Sequence, residues 1–197
     1  MRIDRYLLAS ALLACATLAR ALNPNEMTEA ERRALPHWCE FTQSFDRAPG
    51  NPGHYNDHVA RYGDGWTHVH HYCWALASLI RYYNFETSAQ MKRHLANSAL
   101  QDLNYVLRNA PTEFVLRFDI LVRKTRVLQL LGSLPEALVL SEQIRAEWPE
   151  RSDSHGLIAE VLVQQGRSKE AIEVLRAAEA EVQDKERLFQ IRSALGL

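Results

Sequence analysis

Six of the eight histidines and two of the three cysteines fall between residues 37 and 73: His37, Cys39, His54, His58, His68, His70, His71 and Cys73. Imidazole and thiolate are the donors that zinc and copper take. On a helix His68 and His71 are three positions apart and share a face, and Cys73 lies three past His70. One reading is therefore a copper or zinc site on His68, His70 and His71, helped by His37 or Cys73. The chain has no CxxC, HExxH or CxxCH, so thioredoxin-like, zincin and c-type haem chemistry each lack their motif. The second reading is better supported, because no full ligand set is spelled out. In it, Cys39 and Cys73 form a disulfide that clamps the N-terminal segment onto the first hairpin, and the histidines edge an aromatic cluster of Trp38, Trp66, Tyr72 and Trp74.

Nucleophilic chemistry is less well provided for. There is no GxSxG elbow. Asp119 and Arg123, at i, i+4, read as a solvated helix pair, and Glu142, Glu147 and Glu150 as the outer face of a helix. A Cys39–His nucleophile pair conflicts with an oxidising compartment. No residue is assigned a catalytic role, and no cofactor is expected outside the copper or zinc alternative.

That compartment is inferred from the first 21 residues. Arg2 and Arg5 precede the uncharged, mostly apolar run Tyr6–Ala19, and Ala19-Arg20-Ala21 offers small residues to a signal peptidase, predicting cleavage before Leu22. Alternatives are a buried N-terminal helix or a lipid anchor at Cys15 through Leu12-Leu13-Ala14-Cys15. The apolar run is short for a membrane span, and no other run is longer. An exported, periplasmic chain without a span follows, in which two remaining cysteines pair more often than not. The 197 residues are 47% hydrophobic and carry a formal net charge of −1, about −3 once residues 1–21 are gone. A core can form, and the bulk basic excess that drives nucleic-acid binding is lacking.

The elements that would position these groups are all helices. Thr28 with Glu31 spells a capping box, opening a short helix that Pro36 stops. Trp38, Phe41 and Phe45 fall on one helical face, and Ala48–Gly53 is turn-rich. Tyr55–Arg61 predicts another short helix, closed by Gly63-Asp64-Gly65. Helices are then predicted over Trp66–Tyr83, Ser88–Asn109, Glu113–Leu131, from Pro135 to Glu147, Ser152–Gln165, from a Ser168 cap to Val182, and Lys185–Ala194. No alternating run reads as a strand.

Gly132-Ser133-Leu134-Pro135-Glu136-Ala137-Leu138 matches Gly166-Arg167-Ser168-Lys169-Glu170-Ala171-Ile172 at an offset of 34 residues. Each Gly suits a left-handed helix C-cap, and each Ala suits the closest approach of two helices. With this period the chain resembles the tetratricopeptide repeat family. The resemblance is strong over 115–182 and weaker back to residue 66. Leu121, Leu128, Ile144 and Pro149 fall on the pattern in one repeat, and Ala159, Leu162, Leu175 and Ala178 in the next. His155 departs from the expected large apolar residue, and Gln183 from the closing proline.

The resemblance implies stacked antiparallel hairpins, a short α-solenoid. The expected division is a signal peptide (1–21), an N-terminal cap segment (22–65), a degenerate hairpin (66–112), two repeats (113–149 and 150–184) and a capping helix (185–197). It further implies that first helices line a groove for a protein or peptide, placing Asp119, Arg123, Arg126 and Gln129 on that face in one repeat and Asp153, Glu160 and Gln164 in the next. Mixed charge there favours a polar or extended peptide. The expected function is a non-catalytic scaffold or adaptor, with an edge contact or homodimer open to so short an array.

Overall fold

The computed structural model describes residues 27–43, 53–84 and 88–197. The expected signal segment (1–21) with Cys15, most of the turn-rich 48–53 stretch, and Phe45 lie outside them. Among the described residues the chain is all-α, with no strand. None of the described helices is long and apolar enough to cross a membrane.

Helix α1 (Glu29–Ala34) opens with the expected capping box: the Glu31 backbone N–H donates to Thr28 Oγ1 and the Glu31 carboxylate accepts from the Thr28 N–H. Pro36 ends the segment and starts a 3₁₀ turn over His37–Phe41. The Trp38/Phe41 spacing is thus realised in a tighter helix than expected, since i, i+3 neighbours share a face in both geometries. Helix α2 covers Gly53–Tyr62. A second 3₁₀ turn, Asp64–His68, follows Gly63, whose φ is +77°. The helix expected from Trp66 therefore begins as α-helix only at Val69. Gly65 is required here because the Phe114 ring lies where a Cβ would sit.

The rest is a row of hairpins. Helices α3 (Val69–Asn84) and α4 (Ala89–Asn109) form the first; α5 (Arg117–Leu130) and α6 (Leu134–Glu147) the second; α7 (Ser152–Gln164) and α8 (Ser168–Ala178) the third. Helix α9 (Lys185–Ala194) covers α7. The predicted Glu113 start of α5 slips to Arg117, because Phe114 and Arg117 close successive turns onto Pro111 and Phe114 carbonyls. Ser168 is the first residue of α8 rather than its cap, and Arg167 precedes it without a side-chain capping bond. Helix α8 also stops at Ala178, short of Val182.

Gly132 and Gly166 have φ of +77° and +75°. After each, the next N–H reaches back five residues, Ser133 to Leu128 and Arg167 to Leu162, which is the Schellman closure. Ala137 and Ala171 are wholly buried, so their methyls set the helix separation. In the first hairpin Ala99 is equally buried. His155 fits its core position because the imidazole donates from Nε2 to the Pro149 carbonyl at 2.8 Å. Gly156 lets Ile191 of α9 approach; a Cβ there would meet its side chain at 2.9 Å.

The N-terminal segment is fastened to α3 twice. Cys39 and Cys73 are disulfide-bonded, as the second sequence reading expected. Arg81 donates to the Glu31 carboxylate at 2.7 Å in a site where the two side chains are 12% and 6% exposed. Burial pushes the Glu31 carboxyl up, but the Arg81 bond and charge, with the Thr28 bonds, outweigh it and hold the pKa below the usual value.

Candidate binding surface

Successive hairpins pack chiefly through the second helix of one on the first helix of the next, α4 on α5 and α6 on α7, and the first helices α5 and α7, and α7 and α9, also touch. Asp119, Arg123, Arg126 and Gln129 ride on α5, and Asp153, Glu160 and Gln164 on α7. Four of these meet across the repeat. Arg126 bonds Glu160 at 3.2 Å, and Gln164 donates to Gln129 at 3.3 Å. Asp153 instead turns to the next first helix and accepts from Arg187 at 2.8 Å. The Asp153–Arg187 contact raises the Arg187 pKa, chiefly through that bond.

Two of these contacts, Arg126–Glu160 and Asp153–Arg187, join residues 34 positions apart. They are one repeat period in length, so equivalent edges of adjacent first helices are stitched to each other. Most of the charge expected to greet a partner is thereby matched within the chain. Gln129 still holds a donor in reserve: its Nε2 is shielded from solvent and has no hydrogen-bond partner.

Asp119 and Arg123 do not pair with each other; no salt bridge joins them within 4.0 Å. Asp119 lines a cavity of ≈ 430 Å³ at the start of α5, with Phe114, Phe118, Trp148 and Arg151 among its walls. The Arg151 guanidinium caps the Phe118 ring at 4.1 Å, and Trp148 meets that ring edge-on. Arg123 faces the other way, into a cavity of ≈ 450 Å³ between residues 34–36 and α3. Its charge acts on the hydroxyl of Tyr72. Burial raises the Tyr72 pKa to about 12, which keeps that phenol protonated.

The histidines form two aromatic groups rather than one ligand set. His54 and His58 pack on Phe41, and His58 also lies against Trp66. His71 donates from Nδ1 to the Asp102 carboxylate at 2.7 Å and packs on Tyr105 at 3.9 Å. Burial raises the Asp102 pKa, opposed by the His71 bond and charge. His68 meets Tyr105, and His70 meets both His71 and Trp74. Burial first, then the charges of His71 and His68, lower the His70 pKa to about 4; the Thr67 carbonyl works against them. No hydrogen bond of good geometry reaches its Nδ1. Cys73 is held in the disulfide, and His37 lies on the exposed N-terminal segment beside Glu40. Among the described residues no three His, Cys, Asp or Glu side chains gather where one ion could bind.

Sequence reasoning missed Tyr83, Arg187 and Asp102. Applying the 34-residue period to charges as well as to Gly and Ala would have found Arg187. Nothing in local spacing connects Asp102 to His71, 31 residues earlier.

Compared with known families, residues 128–195 match the tetratricopeptide repeat model. This part of the chain is similar to a tetratricopeptide repeat segment. The match takes in α6, α7, α8 and α9, together with the Gly132 and Gly166 turns. The matched stretch therefore includes Gln129, Asp153, Glu160 and Gln164 but begins after Asp119, Arg123 and Arg126. Comparison with curated proteins and with solved structures gave no match.

Proposed function

We propose that this chain is a non-catalytic, exported scaffold or adaptor that holds a protein or peptide segment along the first-helix face of its hairpins. The observation that carries the reading is the stacked hairpin array with its tetratricopeptide match over 128–195. A preformed, rigid face loses little freedom when a partner docks, and that lowers the cost of association. Gln129 and Gln164 supply adaptable polar contacts, and Arg123 and Asp119 supply charge. The two-point fastening of residues 27–43 to α3 suits an oxidising compartment such as the periplasm, where a buried disulfide persists.

The test is site-specific photo-crosslinking in the native compartment. A crosslinker at Gln129 or Gln164 should capture a discrete partner, and one at Gln143 or Glu173, on the exposed outer side of α6 and α8, should not. Equal capture from both sides would refute the groove. The mass of the mature N-terminus reports export and processing independently.

A further inference from the structure

On α5 the charge of Arg123 has no carboxylate within ion-pair distance among the described residues. Arg126 is bonded to Glu160, Arg187 to Asp153, and Arg81 to Glu31. Arg123 is exposed. Its charge acts on the hydroxyls of Tyr72 and Tyr83, which also feel the more distant Asp119 and Glu160 carboxylates respectively. Tyr83 is 63% exposed, one of the few large side chains left open to solvent.

Arg123 also stands at the edge of the ≈ 450 Å³ cavity. The walls of that cavity are Leu35 and Pro36 on one side and Leu76, Leu79, Ile80 and Tyr83 of α3 on the other. A cavity of this size sits in the lower part of the range for ligand sites. Among the described residues its one charged lining residue is Arg123. A basic segment would meet a like charge there and no carboxylate among the described lining residues. A wholly apolar one would leave the guanidinium facing it without a counter-charge.

We propose that this cavity seats an aliphatic side chain of an extended partner segment, and that an acidic side chain next to it pairs with Arg123. The inference rests on the scaffold reading above and adds the chemistry and location of the recognised segment. The wall made by Leu35 and Pro36 belongs to the segment tied down by the disulfide and by Glu31, so the site is complete only while that segment is fastened.

Three fluorescein-labelled, C-terminally amidated peptides test it by anisotropy against the full oxidised chain. Each has Gly-Ser flanks around a core of Asp-Leu-Asp, Lys-Leu-Lys or Asp-Gly-Asp. The Asp-Leu-Asp peptide should bind at least tenfold more tightly than the other two. R123E should reverse the charge preference toward Lys-Leu-Lys, and I80D should remove binding by the Leu peptides, with helical circular dichroism unchanged in both. A failure of any core to be preferred, or a preference that survives R123E, overturns the proposal. So does a chain that self-associates and is made monomeric by R123E, since a second copy would then be the occupant. If crosslinks from Gln129 and Gln164 persist while the peptide preference is absent, only this inference falls; if both vanish, the scaffold reading falls with it.

Discussion

Replacing Cys39 and Cys73 together by alanine should loosen the N-terminal segment before it disturbs the repeats. The bridge joins positions 34 apart, and the chain-entropy relation for such a loop gives roughly 4 kcal/mol at 25 °C. Both cysteines are buried, at 1% and 0% exposure, so the voids left by the sulfurs add about 1 kcal/mol. Other anchors remain: the Glu31–Arg81 pair, and Trp38 against Trp66 and Tyr72. These limit the loss if the segment opens on its own. Three of the four tryptophans, Trp38, Trp66 and Trp74, lie in or beside this region, and only Trp148 is in the repeats. Urea unfolding followed by tryptophan fluorescence and by far-ultraviolet circular dichroism therefore separates the two parts. The variant should show its fluorescence transition shifted to lower urea by the equivalent of about 2–4 kcal/mol, ahead of the helical transition. Coincident transitions with the wild-type midpoint, or two free thiols in oxidised wild-type protein, would refute the picture of a disulfide-fastened segment.

Four further outcomes follow from the packing. Glu31→Gln should cost roughly 1–3 kcal/mol at neutral pH, the worth of a hydrogen bond to a charged group, by urea unfolding. Because the folded Glu31 pKa is lowered from 4.5, its stabilisation is complete above about pH 4.5 and disappears as pH falls through the folded value; wild type and variant should converge there. Gly132→Ala should cost about 1–2 kcal/mol, since its φ of +77° is the left-handed region but nothing crowds a Cβ. Gly156→Ala has no backbone penalty yet forces Ile191 aside, so it should release α9 first, read as faster amide exchange over 185–194. A double-mutant cycle on Arg126 and Glu160 should return a coupling of only about 0.2–1 kcal/mol, because the pair is partly exposed; a value several times larger would mean the stitch between first helices holds the array together.

Much of this architecture was legible because each local signal was redundant. Gly132 and Gly166 agreed with Ala137 and Ala171 at one period, and the capping box at Thr28 agreed with the stop at Pro36. Short elements were harder. Trp66 and Val69 are three apart, and that spacing suits a 3₁₀ turn as well as an α-helix, so the Asp64–His68 turn was absorbed into α3. The start of α5 was misplaced for a related reason: Glu113 and Phe114 have helical neighbours, but turns onto Pro111 and Phe114 carbonyls delay the helix to Arg117. The candidate groove residues lie on α5 and α7, but their partners are not legible in local spacing. Read locally, the sequence offers Arg126, Glu160 and Asp153 singly and gives no sign of Arg187, because pairing is a property of two helices in register.

That register changes what the groove can select. A partner arriving over α5 and α7 meets Arg126 and Glu160 already joined, so any bond it makes to one must displace the other. The gain is then a difference between two ion pairs, and for partly exposed groups that difference is small. Specificity by charge is therefore expected where the 34-residue stitch has no counterpart. Arg123 is such a place, because the residue one period later is Leu157, which is buried in the core. Here the repeat pattern breaks, α3 and the N-terminal segment supply an apolar wall, and the Arg123 guanidinium meets solvent. The repeats set the shape and rigidity of the surface, while the irregular N-terminal end supplies the site with the most to distinguish one segment from another.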